Sequence, residues 1–264
     1  MISSDSSPST EDDNNLLALA FRLAEEASHI INGIRLRGFR TEIKKDFSPV
    51  TEADRASEAH ILSNLRLHYP SIPAIGEEEM SAGINIPADD TYWLIDPLDG
   101  TRGFASGGED FTVNIGLIRG GEPVLGVVAL PAYGLIYSGG VNLGAHRYDG
   151  KENIPIHTAV PSPDGLRVLA SSHHNNKELL ERWLCGRKVL SVQQISSSVK
   201  FMRVAEGDAD FYPRFGPTME WDTAAPQAIL EAAGGAILDQ HGERLRYGKA
   251  DRLNPPFYCT GSKS

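Results

Sequence analysis

The run Tyr92-Trp93-Leu94-Ile95-Asp96-Pro97-Leu98-Asp99-Gly100-Thr101 places oxygen-rich chemistry directly behind an apolar strand. The strand delivers Asp96 at its end, Pro97 stiffens the exit, and Asp99 returns toward the same point three residues later. Two carboxylates and the Leu98 carbonyl can then face one hard cation, because Mg²⁺ takes oxygen ligands in near-octahedral geometry. Gly100 leaves room for a phosphate to approach the backbone, and Thr101 sets a hydroxyl beside the cation. Taken alone, the same residues also read as a solvated turn, since Asp, Pro and Gly form turns for their own reasons. Other acids add weight to the first reading. Glu77 and Glu78 follow Gly76 after the apolar run Ile72–Ile75, Asp54 lies in Ser48-Pro49-Val50-Thr51-Glu52-Ala53-Asp54, and Asp222 stands behind Trp221 at the head of an Ala-rich stretch. Each has its plainer alternative: a solvated loop, an exposed first-turn acid and a helix N-cap, in that order.

The elements that must position these groups follow from periodicity. Leu16, Leu19, Ala20, Leu23, Ala27, Ile30, Ile31 and Ile34 recur at three- and four-residue steps and predict an amphipathic helix over Leu16–Ile34. Thr51 with Asp54 three residues on predicts the capped start of a second helix, its buried stripe being Ala56, Ala59, Ile61, Leu62 and Leu65. Strands are expected at Tyr92–Ile95, Thr112–Ile118, Val124–Leu130 and Leu135–Ser138, with Gly120–Gly121 as a hairpin connection. After a polar, proline-bearing stretch, His157–Gly165, come a strand at Leu166–Ala170, a helix from Asn176 to Leu184, a strand near Lys188–Val192 and a helix around Val199–Ala205. An Ala-rich helix over Thr223–Ala233 ends at Gly234–Gly235, and two short strands close the chain. Alternating helical and sheet layers make this a stacked α/β (α+β) protein. The expected organisation is a disordered tail over residues 1–15 and one domain over 16–264, with a metal-binding lobe at 16–156 and a C-terminal α/β lobe at 157–264.

Composition limits the partners. A chain of 264 residues with 41% hydrophobic content can bury a sizeable core. A formal net charge of -10 argues against a grip on nucleic-acid polymers or anionic lipid. An acidic protein that handles phosphate esters needs a local source of positive charge, and bound metal is the obvious one. Cys185 and Cys259 give neither a disulfide framework nor a zinc spacing, which points to a reducing cytoplasm. No apolar run is long enough to span a bilayer.

Gly-Glu-Glu at 76–78, Asp-Pro-Leu-Asp-Gly-Thr at 96–101 and Trp-Asp-Thr-Ala-Ala at 221–225 together resemble the lithium-sensitive, magnesium-dependent phosphatases related to inositol monophosphatase. The resemblance runs from Leu16 to Cys259. It implies a layered αβαβα sandwich and two or three Mg²⁺ ions held by Glu77, Asp96, the Leu98 carbonyl, Asp99 and Asp222. Asp54 and Thr101 would polarise the attacking water, with Glu78 beside them among the catalytic residues. Phe111-Thr112-Val113-Asn114-Ile115, Ser197-Ser198-Val199-Lys200-Phe201, Val204-Ala205-Glu206-Gly207 and Tyr212-Pro213-Arg214-Phe215-Gly216-Pro217-Thr218 look like the bacterial 3'(2'),5'-bisphosphate nucleotidases, which convert adenosine 3',5'-bisphosphate, a by-product of sulfate assimilation, to AMP. The implied substrate site shares Glu77, Leu98, Asp99, Gly100, Thr101 and Asp222 with the metals and adds His173, or His174 beside it, with Ser197, Lys200 and Arg214. Cationic residues suit a second phosphate, because Arg forks onto it and Lys supplies a compact charge. Gly103 departs from the pattern, standing where nucleotidases usually carry an acid. The alternatives are a phosphatase for inositol, histidinol or sugar monophosphates and a catalytically silent binding protein. Peripheral association with the inner membrane is ascribed to some bacterial relatives.

Overall fold

The computed structural model describes residues 10–44, 47–170, 177–184 and 186–261. Helix α1 (Thr10–Arg37) begins inside the segment expected to be a disordered tail. The cause is an anchor that periodicity does not show: the buried Asp13 carboxylate accepts two bonds from the Arg119 guanidinium, at 2.8 and 3.3 Å. The apolar stripe from Leu16 to Ile34 is buried as predicted, except that Ile30 is only partly covered.

Strands β1 (Thr41–Ile43) and β2 (Pro49–Thr51) form a small antiparallel pair leading into helix α2 (Glu52–His68). The predicted cap is present, with the Ala53 N–H donating to Thr51 Oγ1 at 3.1 Å and the Thr51 N–H to Asp54 Oδ2 at 2.8 Å. Next come β3 (Ala74–Gly76), α3 (Glu77–Ser81), β4 (Thr91–Asp99), α4 (Thr101–Ala105), β5 (Thr112–Arg119), β6 (Glu122–Leu130), β7 (Leu135–Gly140), β8 (Gly144–Tyr148) and β9 (Asn153–Pro155). The strands build one seven-stranded sheet in chain order, parallel only between β3 and β4 and otherwise a meander.

The remaining elements are β10 (Leu166–Ala170), α5 (Lys177–Leu184), β11 (Val189–Gln194), α6 (Val199–Ala205), β12 (Phe211–Arg214), α7 (Glu220–Ala232), β13 (Ala236–Asp239) and β14 (Phe257–Thr260). Their strands form a five-stranded sheet in the order β11-β10-β12-β14-β13. Helices α1 and α2 cover one face of the large sheet, and α6 and α7 fill the space between the two sheets. On the outer face of the second sheet, Trp183 of α5 stacks on Phe215 and packs against Tyr258. The result is the expected αβαβα stack.

Helix α7 can lie flat on the large sheet because Gly116 and Gly126 are cross-strand partners beneath it. A Cβ on Gly116 would stand 2.7 Å from Ala225 N, and one on Gly126 2.4 Å from Ala225 O. No described helix is long and apolar enough to cross a membrane.

Candidate active site

Strand β4 does not end at Asp96. It pairs with β5 through Asp96 opposite Asn114, skips, and resumes with Asp99 opposite Thr112. Pro97, with no N–H for the ladder, sits in that irregularity, where a bulge costs no hydrogen bond. The bulge turns both aspartates toward one region, and the Leu98 N–H donates to Asp96 Oδ1 at 3.0 Å. Gly100 then takes the left-handed conformation, φ 97°. A side chain there would be strained and would also meet Asp110 O at 2.8 Å.

Thr101 opens α4, and its hydroxyl lies 2.8 Å from Asp54 Oδ1 and 3.0 Å from Leu98 O. The other oxygen of Asp54 accepts from Thr51 N at 2.8 Å and Thr51 Oγ1 at 2.6 Å. The anticipated pair is therefore assembled from two helix starts. Asp222 occupies the same third helical position in α7 that Asp54 has in α2, and its Oδ2 accepts the Met219 N–H at 2.8 Å. The helix begins at Glu220 rather than Thr223, so Asp222 is not its N-cap. Its second oxygen remains available to the site.

One participant was not anticipated. The Ser198 hydroxyl lies 2.7 Å from Asp99 Oδ2 and 3.2 Å from the Asp222 carbonyl, and it accepts a bond from Asn114 Nδ2 at 3.0 Å. That carbonyl is open because Pro226, four residues on, has no N–H to fill it. A proline inside an otherwise regular helix was the sequence signal that a carbonyl needed another partner.

The carboxyl groups repel one another in a recessed place. Burial pushes Asp96 well above the usual carboxylate range, and Glu77, Asp99 and Asp222 push it further. Asp222 is raised to about 8 by burial and then by Asp99 and Glu77. Glu77 is raised to about 7 by burial, with Glu78 adding to the rise and Lys44 opposing it. Burial also raises Asp54, against its hydrogen bonds from Thr51 and Thr101. Crowded oxygen anions with a surplus of negative charge are the donor set of a hard divalent cation, so these residues fit Mg²⁺. Among the described residues no three acid, His or Cys side chains close on a single point. Glu77 instead turns its carboxylate to the Lys44 ammonium at 3.0 Å.

A cavity of about 840 Å³ opens over this region. Glu77, Asp99, Gly100, Thr101 and Asp222 line it together with Ser197, Lys200 and Arg214. Lys200 is nearly fully buried, donates to Ser197 O at 2.7 Å and Ile195 O at 3.2 Å, and lies 5.0 Å from the Tyr212 ring centroid. Burial pushes its ammonium down to about 8. It clamps the turn in which Ser197 is held at φ 53°. Arg214 donates to the carbonyls of Gly216 and Pro217. Glu78 stands apart from this wall: it pairs with Lys44 at 2.6 Å and lines a second cavity, of about 670 Å³. His173, His174 and Cys185 lie outside the described residues.

The sequence profile described as the inositol monophosphatase family matches residues 12–258. A 3'(2'),5'-bisphosphate nucleotidase CysQ from Salmonella typhimurium is 42% identical over 220 residues, 82% of this chain and 87% of the relative. The protein of that name from Buchnera aphidicola is 38% identical over 247 residues, covering 90% and 91%. The crystal structure of CysQ from Bacteroides thetaiotaomicron, a bacterial member of the inositol monophosphatase family, superposes with a TM-score of 0.77 at 32% identity over 95% of this chain and 98% of that one. An inositol monophosphatase from Anabaena gives 0.75 at 25% identity, covering 95% and 92%. A profile that spans nearly the whole sequence, and relatives this similar over more than four fifths of it, establish that the chain belongs to the inositol monophosphatase family.

Proposed function

We propose that the chain is a magnesium-dependent 3'(2'),5'-bisphosphate nucleotidase that hydrolyses the 3'-phosphate of adenosine 3',5'-bisphosphate to AMP and phosphate. It would act in the cytoplasm on a by-product of sulfate assimilation and be inhibited by lithium. The observation that carries the reading is that one and the same cavity has an acidic wall at Glu77, Asp99 and Asp222 and a cationic wall at Lys200 and Arg214. Relatives at 38–42% identity named as bisphosphate nucleotidases support the choice of substrate.

Two or three Mg²⁺ ions held by Glu77, Asp96, the Leu98 carbonyl, Asp99 and Asp222 would supply neutralisation of the phosphate and acidification of water. The chain's own residues do the rest. With its proton given to Asp54 Oδ1, the Thr101 oxygen presents lone pairs to the cavity and can accept a proton from the attacking water. Asp54, raised by burial, is suited to hold that proton when Thr101 passes its own along. As water adds to phosphorus, the bond from phosphorus to the ribose 3'-oxygen breaks and that oxygen takes up a proton from a second water, while the proton lost by the attacking water is left on the Thr101–Asp54 pair. Ser198 holds Asp99 in place, the turn clamped by Lys200 brings Ser197 to the part of the substrate that is not cleaved, and the end of β12 brings Arg214 there. Glu78 would act at one remove, through Lys44.

One observation favours a broader monophosphatase: the Lys200 ammonium already serves two backbone carbonyls, which weakens it as a second phosphate contact. Phosphate release from adenosine 3',5'-bisphosphate, inositol 1-phosphate and histidinol phosphate separates the readings. The nucleotidase reading expects kcat/KM for the bisphosphate to exceed the others by about tenfold or more, the value of one charged contact. A preference for either monophosphate overturns it.

A further inference from the structure

Glu58 is a buried carboxylate, 3% exposed, that the reaction described above does not use. Among the described residues it forms no ion pair; both its oxygens are taken by backbone. Oε2 accepts the Glu78 N–H and Oε1 the Glu79 N–H, each at 2.8 Å. These are two of the otherwise unpartnered donors in the first turn of α3, the turn that begins with Glu77. The N-cap of that helix is Gly76, which has no side chain to do the capping itself. A Cβ on Gly76 would stand 2.4 Å from Glu58 Oε2, so the glycine is what admits the carboxylate.

Helix α3 is five residues long and buries none of its own side chains completely, so packing alone holds it weakly. Its other ties are Arg66, forked onto Glu79, and Lys44, which bridges Glu77 and Glu78 from a loop. Glu58 fixes it from the rigid side. On α2, Asp54, Ser57 and Glu58 share one face, and each holds a different segment of the site: Asp54 the Thr101 hydroxyl, Ser57 the Pro97 carbonyl at 3.2 Å, and Glu58 the start of α3.

We propose that Glu58 is a positioning residue for Glu77, fixing through the first turn of α3 where the Glu77 carboxylate stands for a divalent cation. This rests on the reading of Glu77 as a metal ligand. Removing a group that orients a ligand costs about 10–100-fold in metal affinity, while the chemistry recovers once the metal is forced to bind.

The test is calorimetric titration of metal-free protein with Mg²⁺, paired with kcat at saturating Mg²⁺, for wild type, Glu58→Gln, Glu58→Asp and Glu77→Gln. Glu58→Gln retains shape but offers one acceptor oxygen for two N–H groups, and Glu58→Asp retains charge but is one methylene too short. Both are expected to weaken Mg²⁺ binding about tenfold or more, with kcat at saturation within about threefold of wild type. A purely structural cap would lower the melting temperature and leave Mg²⁺ affinity alone. If Glu77→Gln loses Mg²⁺ binding and neither Glu58 variant does, the positioning role is overturned by itself. If Glu77→Gln binds Mg²⁺ like wild type, the ligand reading falls and takes the proposal with it. Should one Glu58 variant fail to fold, the other carries the same comparison.

Discussion

Thr101 has one hydroxyl proton and two oxygens within reach of it, Asp54 Oδ1 and Leu98 O. Thr101→Ala removes a group used chiefly in the transition state, so kcat should fall by about 10²–10⁴-fold with KM and Mg²⁺ affinity little changed. Calorimetry showing lost Mg²⁺ binding instead would move Thr101 into the ligand set. At this scale part of the site's geometry was legible. Type and spacing put Asp96, Asp99 and Thr101 in one turn, which the structure shows, whereas only the family resemblance set Glu77, Asp54 and Asp222 beside that turn. The role of Ser198 was not legible, because Ser196, Ser197 and Ser198 look alike in sequence and only the packing of α6 against α7 decides which of them reaches Asp99. The family resemblance marked Lys200 as a cation, and the structure places it at the cavity, but its burial and its service to Ile195 and Ser197 depend on a turn that no spacing rule foretells.

Among the elements, α7 is the one on which both layers depend, and its seat is the glycine pair at 116 and 126. Gly126→Ala would drive a methyl into the Ala225 carbonyl, forcing the helix off the sheet. The expected loss is about 1–3 kcal/mol in urea unfolding. Gly33→Ala in α1 is the control: nothing lies within 4 Å of the added methyl, so it should gain about 0.5–1 kcal/mol from helix propensity alone. Equal effects at the two positions would show that the close approach is unimportant. Long elements such as α1, α2, β5 and β6 were readable because several turns or alternations repeat the pattern, although Ala59 of the stripe expected on α2 is exposed and Ala56 half-buried, the face toward the site being polar at Asp54, Ser57 and Glu58. The three- to five-residue pieces β1, β2, α3, α4, β8, β9 and β12 were not, since a segment that short completes too little of any period unless turn residues mark it off, as Gly165 does before β10. The continuation of β4 through Pro97 to Asp99 was hidden for another reason: proline argues locally for a strand end, and only the partner strand shows a bulge.

For the molecule as a whole, the crowded carboxyl groups couple stability to pH and to metal. In the metal-free fold Asp222 is raised to about 8 and Glu77 to about 7, whereas both would titrate near about 4 in an unfolded chain. Between those limits the folded state binds more protons, so its stability falls as pH rises through the window and levels off above it. Calorimetry should therefore find the metal-free melting temperature higher at pH 5.5 than at pH 8. Added Mg²⁺, which prefers ionised carboxylates, should raise it more at pH 8. A metal-free melting temperature that climbs with pH would contradict the repulsion seen among these acids. The place of α7 between the sheets bears also on how the chain is made. The large sheet is complete in sequence at Pro155, but the helix that covers its inner face starts at Glu220. At about 5–20 residues per second of synthesis, Val128, Leu130 and Tyr137 wait roughly 3–13 s for their cover. During that interval the inner face of the sheet has been made but the helix that covers it has not, which leaves an apolar surface for other nascent chains to meet.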